Sequence, residues 1–131
     1  MSSYNKLRQI LDDAQHVVVV QADNPDGDSV ASSLALEDLL ETMGKKVTLF
    51  CGVAIPTYLR HMQGWDRVVN ELPKQFDASI IVDCGALSLL ETLDKTGQLP
   101  WLKAKPCVII DHHSTEPTID FSTLNIIENA V

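Results

Sequence analysis

The strongest constraint on the fold of this chain comes from short, uninterrupted runs of apolar and β-branched residues. Residues 17–20 are four consecutive valines, and residues 79–82 and 107–110 form similar runs. A strand without alternating polar residues is typical of a parallel sheet, because helices bury both of its faces. These runs are also far too short to span a bilayer. The pattern therefore predicts a helix-covered α/β domain.

Helical and strand-like segments alternate along the rest of the chain. Apolar residues at helical spacing, from Leu7 to Ala14, predict one helix with Ser2 and Ser3 as candidate caps, and a longer one that is capped by Asp28 or Ser29 and stopped by Gly44. The remaining predicted elements are strands at 46–51 and 124–127, a short helix at 56–62 and a helix at 87–94 closed by Gly97. This order of elements indicates an open parallel sheet of about five strands with helices on both faces.

The charge and the cysteines limit the classes of partner. Ten basic and eighteen acidic residues give a net charge of −8, which argues against a cationic groove for long duplex nucleic acid. The three cysteines form no Cys-x-x-Cys pair and are expected to be reduced thiols, and the N-terminus lacks the apolar core of a secretory signal. We therefore expect a cytoplasmic protein without a membrane partner. The sequence leaves open whether it forms a homodimer.

Acidic residues and histidines follow three of the apolar runs. The run at 17–20 leads into the turn 23–29, which carries Asp23, Asp26 and Asp28; the run at 79–82 ends in Asp83 and the run at 107–110 in the triplet 111–113. Ligands of an open parallel sheet bind at the carboxyl ends of its strands. Carboxylates and two imidazoles from distant parts of the sequence are therefore expected to meet at one edge.

Such a cluster predicts a metal site. Carboxylates about 4 Å apart repel each other by several kcal/mol at an intermediate dielectric, and divalent cations remove that repulsion. Mixed oxygen and imidazole donors suit Mn²⁺, with Mg²⁺, Co²⁺, Fe²⁺ or Zn²⁺ as alternatives. Two such ions can activate a water molecule and hold the oxygens of a phosphoryl group during its displacement. Asp83, which we expect at the centre of the edge, is the natural ligand to bridge two ions.

With these residues considered together, the chain resembles the DHH phosphoesterases over residues 15–131. The first motif of that superfamily is similar to residues 24–32, the second to 82–85 and the third to Ile110-Asp111-His112-His113. The resemblance implies a domain that hydrolyses phosphodiester or phosphomonoester bonds in small nucleotides or short oligonucleotides through a two-metal-activated water.

The same resemblance implies a role for each motif residue. Asp26 and Asp83 would hold one metal, while Asp28, Asp83 and His112 would hold the other. His113 would bind the scissile phosphate or act as general acid. Asp111 would support the catalysis by orienting the neighbouring imidazoles.

Two departures from the family pattern bear on activity. Ala22 occupies the position of the usual first histidine, so one metal would lose a ligand that Asp23 could replace only in part. The family's further aspartate and its C-terminal substrate-binding domain are absent from residues 1–131. We therefore expect the N-terminal part of a DHH phosphoesterase domain, inactive as a fragment and active at full length. The alternative is a degenerate, non-catalytic DHH domain that binds a nucleotide or a protein partner.

Overall fold

A computed structural model of the chain describes residues 2–84, 87–111, 119 and 121–127. The predicted strands and the two N-terminal helices are present. The segment predicted as a helix at 56–62 forms only a 3₁₀ turn, and the one at 87–94 forms a 3₁₀ turn followed by a short α-helix. A short strand and a second short helix are additional. In chain order the elements are α1 (Ser3–Asp13), β1 (His16–Gln21), α2 (Gly27–Thr42), β2 (Lys46–Cys51), β3 (Val68–Val69), β4 (Ala78–Val82), α3 (Glu91–Lys95), α4 (Leu99–Lys103), β5 (Cys107–Asp111) and β6 (Leu124–Ile127). Short 3₁₀ turns occupy Thr57–Leu59, Trp65–Arg67 and Leu87–Leu90.

The six strands form one parallel sheet in the order β3-β2-β1-β4-β5-β6. The open parallel sheet is therefore confirmed, with six strands where about five were predicted. The additional strand, β3, has two residues and is too short to give a sequence signal. The chain order runs outward from β1 through β2 to β3, and then starts again on the other side of β1 with β4. This reversal creates a crevice at the carboxyl ends of β1 and β4, where ligands of such sheets bind.

Helices cover both faces of the sheet, as predicted. Val17 and Val19 face the layer formed by α1 and α2, where Leu40 is buried against them. Val18 and Val20 face the opposite layer, where α3 and α4 contribute Leu93, Leu99 and Leu102. Because successive side chains of a strand point to opposite faces, the valine run serves two cores at once. Burying each valine contributes about 1.5–3 kcal/mol of transfer free energy.

The ends of α2 are well defined, and the N-terminal end differs from the prediction. Asp26, not Asp28 or Ser29, is the N-cap residue. The prediction placed the cap two or three residues late because the sequence contains several capping residues in a row. At the other end, Gly44 follows with φ of 85°, a left-handed conformation that glycine adopts without a steric penalty.

An ion pair holds the middle of α2 in place. Arg67 donates hydrogen bonds from Nε and Nη2 to the carboxylate of Glu37, which is 6% exposed. The position of α2 matters because its N-terminus lies at the crevice between β1 and β4.

Among the described residues, none of the helices has the length and apolar composition needed to cross a membrane.

Candidate metal and phosphate site

Asp83 and Asp111 lie side by side at the carboxyl edge of the sheet. Strands β4 and β5 are paired in parallel with Val82 opposite Ile110, so each aspartate comes next along its own chain. The Asp83 N–H donates to the carbonyl oxygen of Ile110 at 3.0 Å, which continues the ladder by one bond. Asp111 is buried, with 6% of its surface exposed. The structure therefore brings together the second motif and the start of the third.

Asp83 also has an unusual backbone conformation. Its φ is +54°, and it is the one non-glycine residue at positive φ in the described part of the chain. The left-handed region costs an L-residue roughly 1–2 kcal/mol, and aspartate and asparagine tolerate it better than most others. Strained residues of this kind cluster at functional sites, where the surrounding structure holds them in place. The turn redirects the chain immediately after β4.

The first-motif aspartates lie at the N-terminus of α2. Oδ1 of Asp26 accepts the Ser29 N–H at 2.8 Å, and the Ser29 hydroxyl accepts the Asp26 N–H at 2.9 Å. This reciprocal pair is a capping box. Asp28 lies in the first turn, and both aspartates are exposed. Negative side chains are favourable at this end of a helix because the N-terminus carries partial positive charge.

The capping geometry allows the two roles of Asp26 to be separated. Replacing Asp26 with serine keeps a good N-cap, so we expect the free energy of unfolding to change by less than about 0.5 kcal/mol. Asp26→Ala removes the cap and should cost about 1 kcal/mol. Both changes remove the carboxylate, so both should weaken Mn²⁺ binding equally. Urea unfolding and calorimetric titration of the complete protein measure the two effects. A serine variant with unimpaired metal affinity would show that Asp26 is only a cap.

Asp23 is used by the fold and does not point its carboxylate freely into the crevice. Its Oδ2 accepts the Thr92 N–H at 2.9 Å, and its own N–H donates to the Leu89 carbonyl oxygen at 2.8 Å. These bonds fasten the loop after β1 to the start of α3. That Asp23 partly replaces the missing histidine stays a prediction, for which Oδ1 would be the ligating oxygen because Oδ2 is bonded to α3.

Ala22 lies opposite Asp83, just beyond the ends of the paired strands β1 and β4. In the register of β1 with β4, Val20 is opposite Ile81, which places Ala22 opposite Asp83 two residues later. Ala22 is only 3% exposed and packs in a cluster with Cys84 and Leu90. A histidine at this position would therefore adjoin Asp83, but it would need room that the present packing does not leave.

Gln21 is a polar residue of this region that the motif comparison overlooked. It is the last residue of β1 and is 0% exposed. Among the described residues, neither its Oε1 nor its Nε2 has a hydrogen-bond partner. Each unpaired buried polar atom costs about 1–3 kcal/mol. The sequence signal for a functional role of Gln21 was its place directly after four valines, at a position that the strand pattern predicts to be buried.

The thiol of Cys51, which lies opposite Gln21 in the sheet, does not provide a nucleophile. The pKa of Cys51 is raised, mainly by burial. A hydrogen bond with the Val53 backbone lowers this pKa, and the negative charge of Asp23 raises it again. The Cys51 Sγ instead donates to the carbonyl oxygen of Ala22 at 3.4 Å. Cys51 therefore stays protonated at neutral pH and fills the core beside Gln21.

A cleft of about 580 Å³ adjoins the two edge aspartates. Asp83 and Asp111 line it at the sheet, and α1 and α2 form its walls with side chains that include Tyr4 and Ser32. A larger pocket of about 780 Å³ opens at the opposite, amino-terminal edge and is lined by residues such as His16 and Lys46. We favour the first as the functional cleft, because in parallel sheets ligands bind at the carboxyl ends.

The donor types at this edge fit a hard or borderline divalent cation, since the described residues offer carboxylate oxygens from α2, β4 and β5. However, within residues 2–84, 87–111, 119 and 121–127, no three acidic, histidine or cysteine side chains lie close enough to hold an ion. His112 and His113, which directly follow Asp111, lie outside the described residues. The structure therefore places Asp83 beside Asp111, but the described residues Asp26, Asp28, Asp83 and Asp111 do not form a group that could hold an ion by themselves.

The fold and the edge residues define a class: an open parallel α/β domain with acidic side chains at its carboxyl edge. A family model described as the DHH family, N-terminal domain, matches residues 16–131. The chain belongs to the DHH family. The resemblance deduced from the motifs is thus confirmed at the level of the family.

Two solved structures share the fold. An exopolyphosphatase-related protein from Bacteroides fragilis superimposes with a TM-score of 0.82 at 23% identity, over 96% of this chain and 38% of that one. The Vibrio vulnificus NanR protein complexed with ManNAc-6P superimposes with a TM-score of 0.59 at 17% identity, over 96% of this chain and 42% of that one. The chain thus spans less than half the length of either protein. Comparison with curated proteins finds no match.

Proposed function

We propose that this chain is the metal-binding part of a phosphoesterase that hydrolyses phosphodiester or phosphomonoester bonds in small nucleotides or short oligonucleotides. The observation that carries the proposal is the placement of Asp83 beside Asp111 at the carboxyl edge, next to a cleft and to the N-terminus of α2. Membership of the DHH family supports it. The similar fold of the exopolyphosphatase-related protein from Bacteroides fragilis agrees with chemistry on phosphate groups.

Each motif residue has a task in this proposal. Asp26, Asp28, Asp83 and His112 hold the cations, for which Mn²⁺ is the best candidate. When bound, the two ions supply an activated water and neutralise charge on the phosphate. Asp111, buried beside Asp83, orients the imidazoles that follow it. His113 binds the scissile phosphate and donates a proton to the leaving oxygen.

The proposed setting is the cytoplasm, with substrates short enough to enter the cleft. The net charge of −8 disfavours long duplex nucleic acid. The two similar structures extend well beyond the length of this chain, and we propose that a further domain of the complete protein holds the substrate. The test is release of product from a dinucleotide, a cyclic dinucleotide and a 3′,5′-bisphosphate by the complete protein, with and without Mn²⁺. Absence of metal-dependent turnover on every phosphoester tested would overturn the proposal.

The second candidate is a degenerate domain that binds a nucleotide or a protein partner without hydrolysis. Ala22 favours it, because the residue opposite Asp83 carries no ligand atom. Loss of a metal ligand lowers metal affinity and leaves the neighbouring carboxylates less well neutralised.

A pair of variants at position 22 separates the two candidates. Because Ala22 is buried, both Ala22→His and Ala22→Leu should lower the free energy of unfolding by about 1–3 kcal/mol through overpacking. Under the enzymatic reading, wild-type protein already turns over substrate and only the histidine variant gains Mn²⁺ affinity. Nucleotide binding without hydrolysis in all three proteins would favour the binding domain instead. Calorimetric titration and a turnover assay at matched Mn²⁺ distinguish these results.

A further inference from the structure

We propose that Gln21 is a positioning residue, whose side-chain amide holds a carboxylate of the metal site, that of Asp83, in its ligating orientation. This inference rests on the proposed function, because it assigns a role toward the same cations. Gln21 lies outside the three motifs, and its buried amide has no hydrogen-bond partner among the described residues.

The register of the sheet places Gln21 beside the site. Gln21 is opposite Cys51 on one side and, continuing from the pair Val20 and Ile81, opposite Val82 on the other. Parallel strands lie about 4.8 Å apart and rise about 3.3 Å per residue, so the Cα atom of Asp83 is roughly 6 Å from that of Gln21. A glutamine side chain readily covers such a distance.

The side chain lies on the face of the sheet that α2 covers. Gln21 has the same parity in β1 as Val17 and Val19, which pack in the layer of α1 and α2. Its neighbour Cys51 packs with Val30 of α2. The amide is therefore enclosed between the strand ends and the first turns of α2, the helix that Asp26 caps.

The composition of this enclosure restricts what the amide can bind. The buried hydroxyls of α2 are engaged: Ser29 bonds to Asp26, and the Ser33 hydroxyl donates to the Ser29 carbonyl oxygen at 2.8 Å. The sheet register places the motif carboxylate of Asp83 one residue beyond the position opposite Gln21, and the Nε2 donor makes no hydrogen bond to the described residues that would keep it from such an acceptor. Amide donors that orient metal-binding carboxylates commonly change metal affinity 10–100-fold when they are removed.

The test compares Gln21→Met with wild type in the complete protein, using Mn²⁺ alone as the titrant in calorimetry and thermal unfolding of the metal-free protein. Methionine has nearly the same length and shape but no polar amide. We expect the Tm of the metal-free protein to stay equal or rise by a few degrees, because an unpaired polar group is removed. We expect the Kd for Mn²⁺ to rise about 10-fold or more.

Ser79→Ala is the matched control. The Ser79 hydroxyl is also fully buried and lies in the same sheet, but four residues before Asp83. Its removal should leave the Kd for Mn²⁺ within about twofold. Gln21→Asn, which keeps a shorter amide, carries the same test if the methionine variant fails to fold.

The outcomes separate the two proposals. A Gln21→Met protein that binds Mn²⁺ as tightly as wild type overturns the role of Gln21 and leaves the proposed function intact. A wild-type protein that binds no Mn²⁺ overturns both. A rise in Kd in Gln21→Met, accompanied by an unchanged Tm and an unchanged Ser79→Ala control, supports the positioning role.

Discussion

Replacing Asp83 with asparagine in the complete protein is expected to lower Mn²⁺-dependent phosphoester hydrolysis by roughly 10³-fold, which corresponds to about 4 kcal/mol of transition-state stabilisation. Asp83 is expected to contact both cations, so the loss of its charge affects both at once. The fold should survive, because asparagine tolerates the left-handed φ of +54° that this position requires. Thermal unfolding should therefore show a Tm close to that of wild type.

The matched control is Asp12→Asn, which also replaces an aspartate with asparagine but on the exposed surface of α1. It should leave kcat and the Kd for Mn²⁺ unchanged. Asp83→Ala should lose activity as well, with an added loss of stability because alanine is less tolerant of positive φ. Normal Mn²⁺-dependent hydrolysis by either Asp83 variant would rule out the proposed enzyme.

Replacing Gly52 with alanine is expected to lower the free energy of unfolding by about 2–3 kcal/mol. A Cβ atom at Gly52 would lie 2.5 Å from Oδ1 of Asp23 and 2.7 Å from Cβ of Thr92. Both distances are shorter than van der Waals contact. Either the Asp23 carboxylate or the start of α3 must move, and the hydrogen bond from Thr92 to Asp23 would be strained or broken.

Gly27→Ala is the matched control for this prediction. Gly27 is the first residue of α2, and an added Cβ would meet nothing within 4 Å. We expect its stability to be unchanged or raised by up to about 1 kcal/mol, because alanine restricts the unfolded chain more than glycine does. Urea denaturation of the two variants measures the difference. Equal stabilities would show that the loop after β1 rearranges without cost.

The loop between Asp23 and Asp26 is expected to link stability to metal binding. Asp23 fastens its start to α3, and Asp26 ends it as the cap of α2. A displaced Asp23 would therefore also shift the exposed aspartates that follow it. We expect Gly52→Ala to weaken Mn²⁺ binding in addition to lowering stability.

The strand and helix pattern could be predicted because the central strands β1, β4 and β5 are buried on both faces. Residues 46–51 and 124–127 were predicted with the bounds that the structure has, and the α1 and α2 segments differ by a few residues at their ends. The two-residue strand β3 and the five-residue helix α4 were missed. Elements this short have too few residues for a periodic pattern and depend on their neighbours in space.

The acidic residues of the candidate site could be located along the strands from the sequence, but their arrangement in space only in part. The sequence alone determined which acidic residues follow which strands, and parallel pairing then required Asp83 and Asp111 to be neighbours. The tertiary structure decided the use of the remaining polar groups: Asp23 is taken up by the start of α3, Ala22 is enclosed in a core, and Gln21 is buried without a partner. Those outcomes depend on contacts between residues up to 69 positions apart. Local pattern carries no information about such contacts, because hydrogen bonding and burial are settled only when the layers pack together.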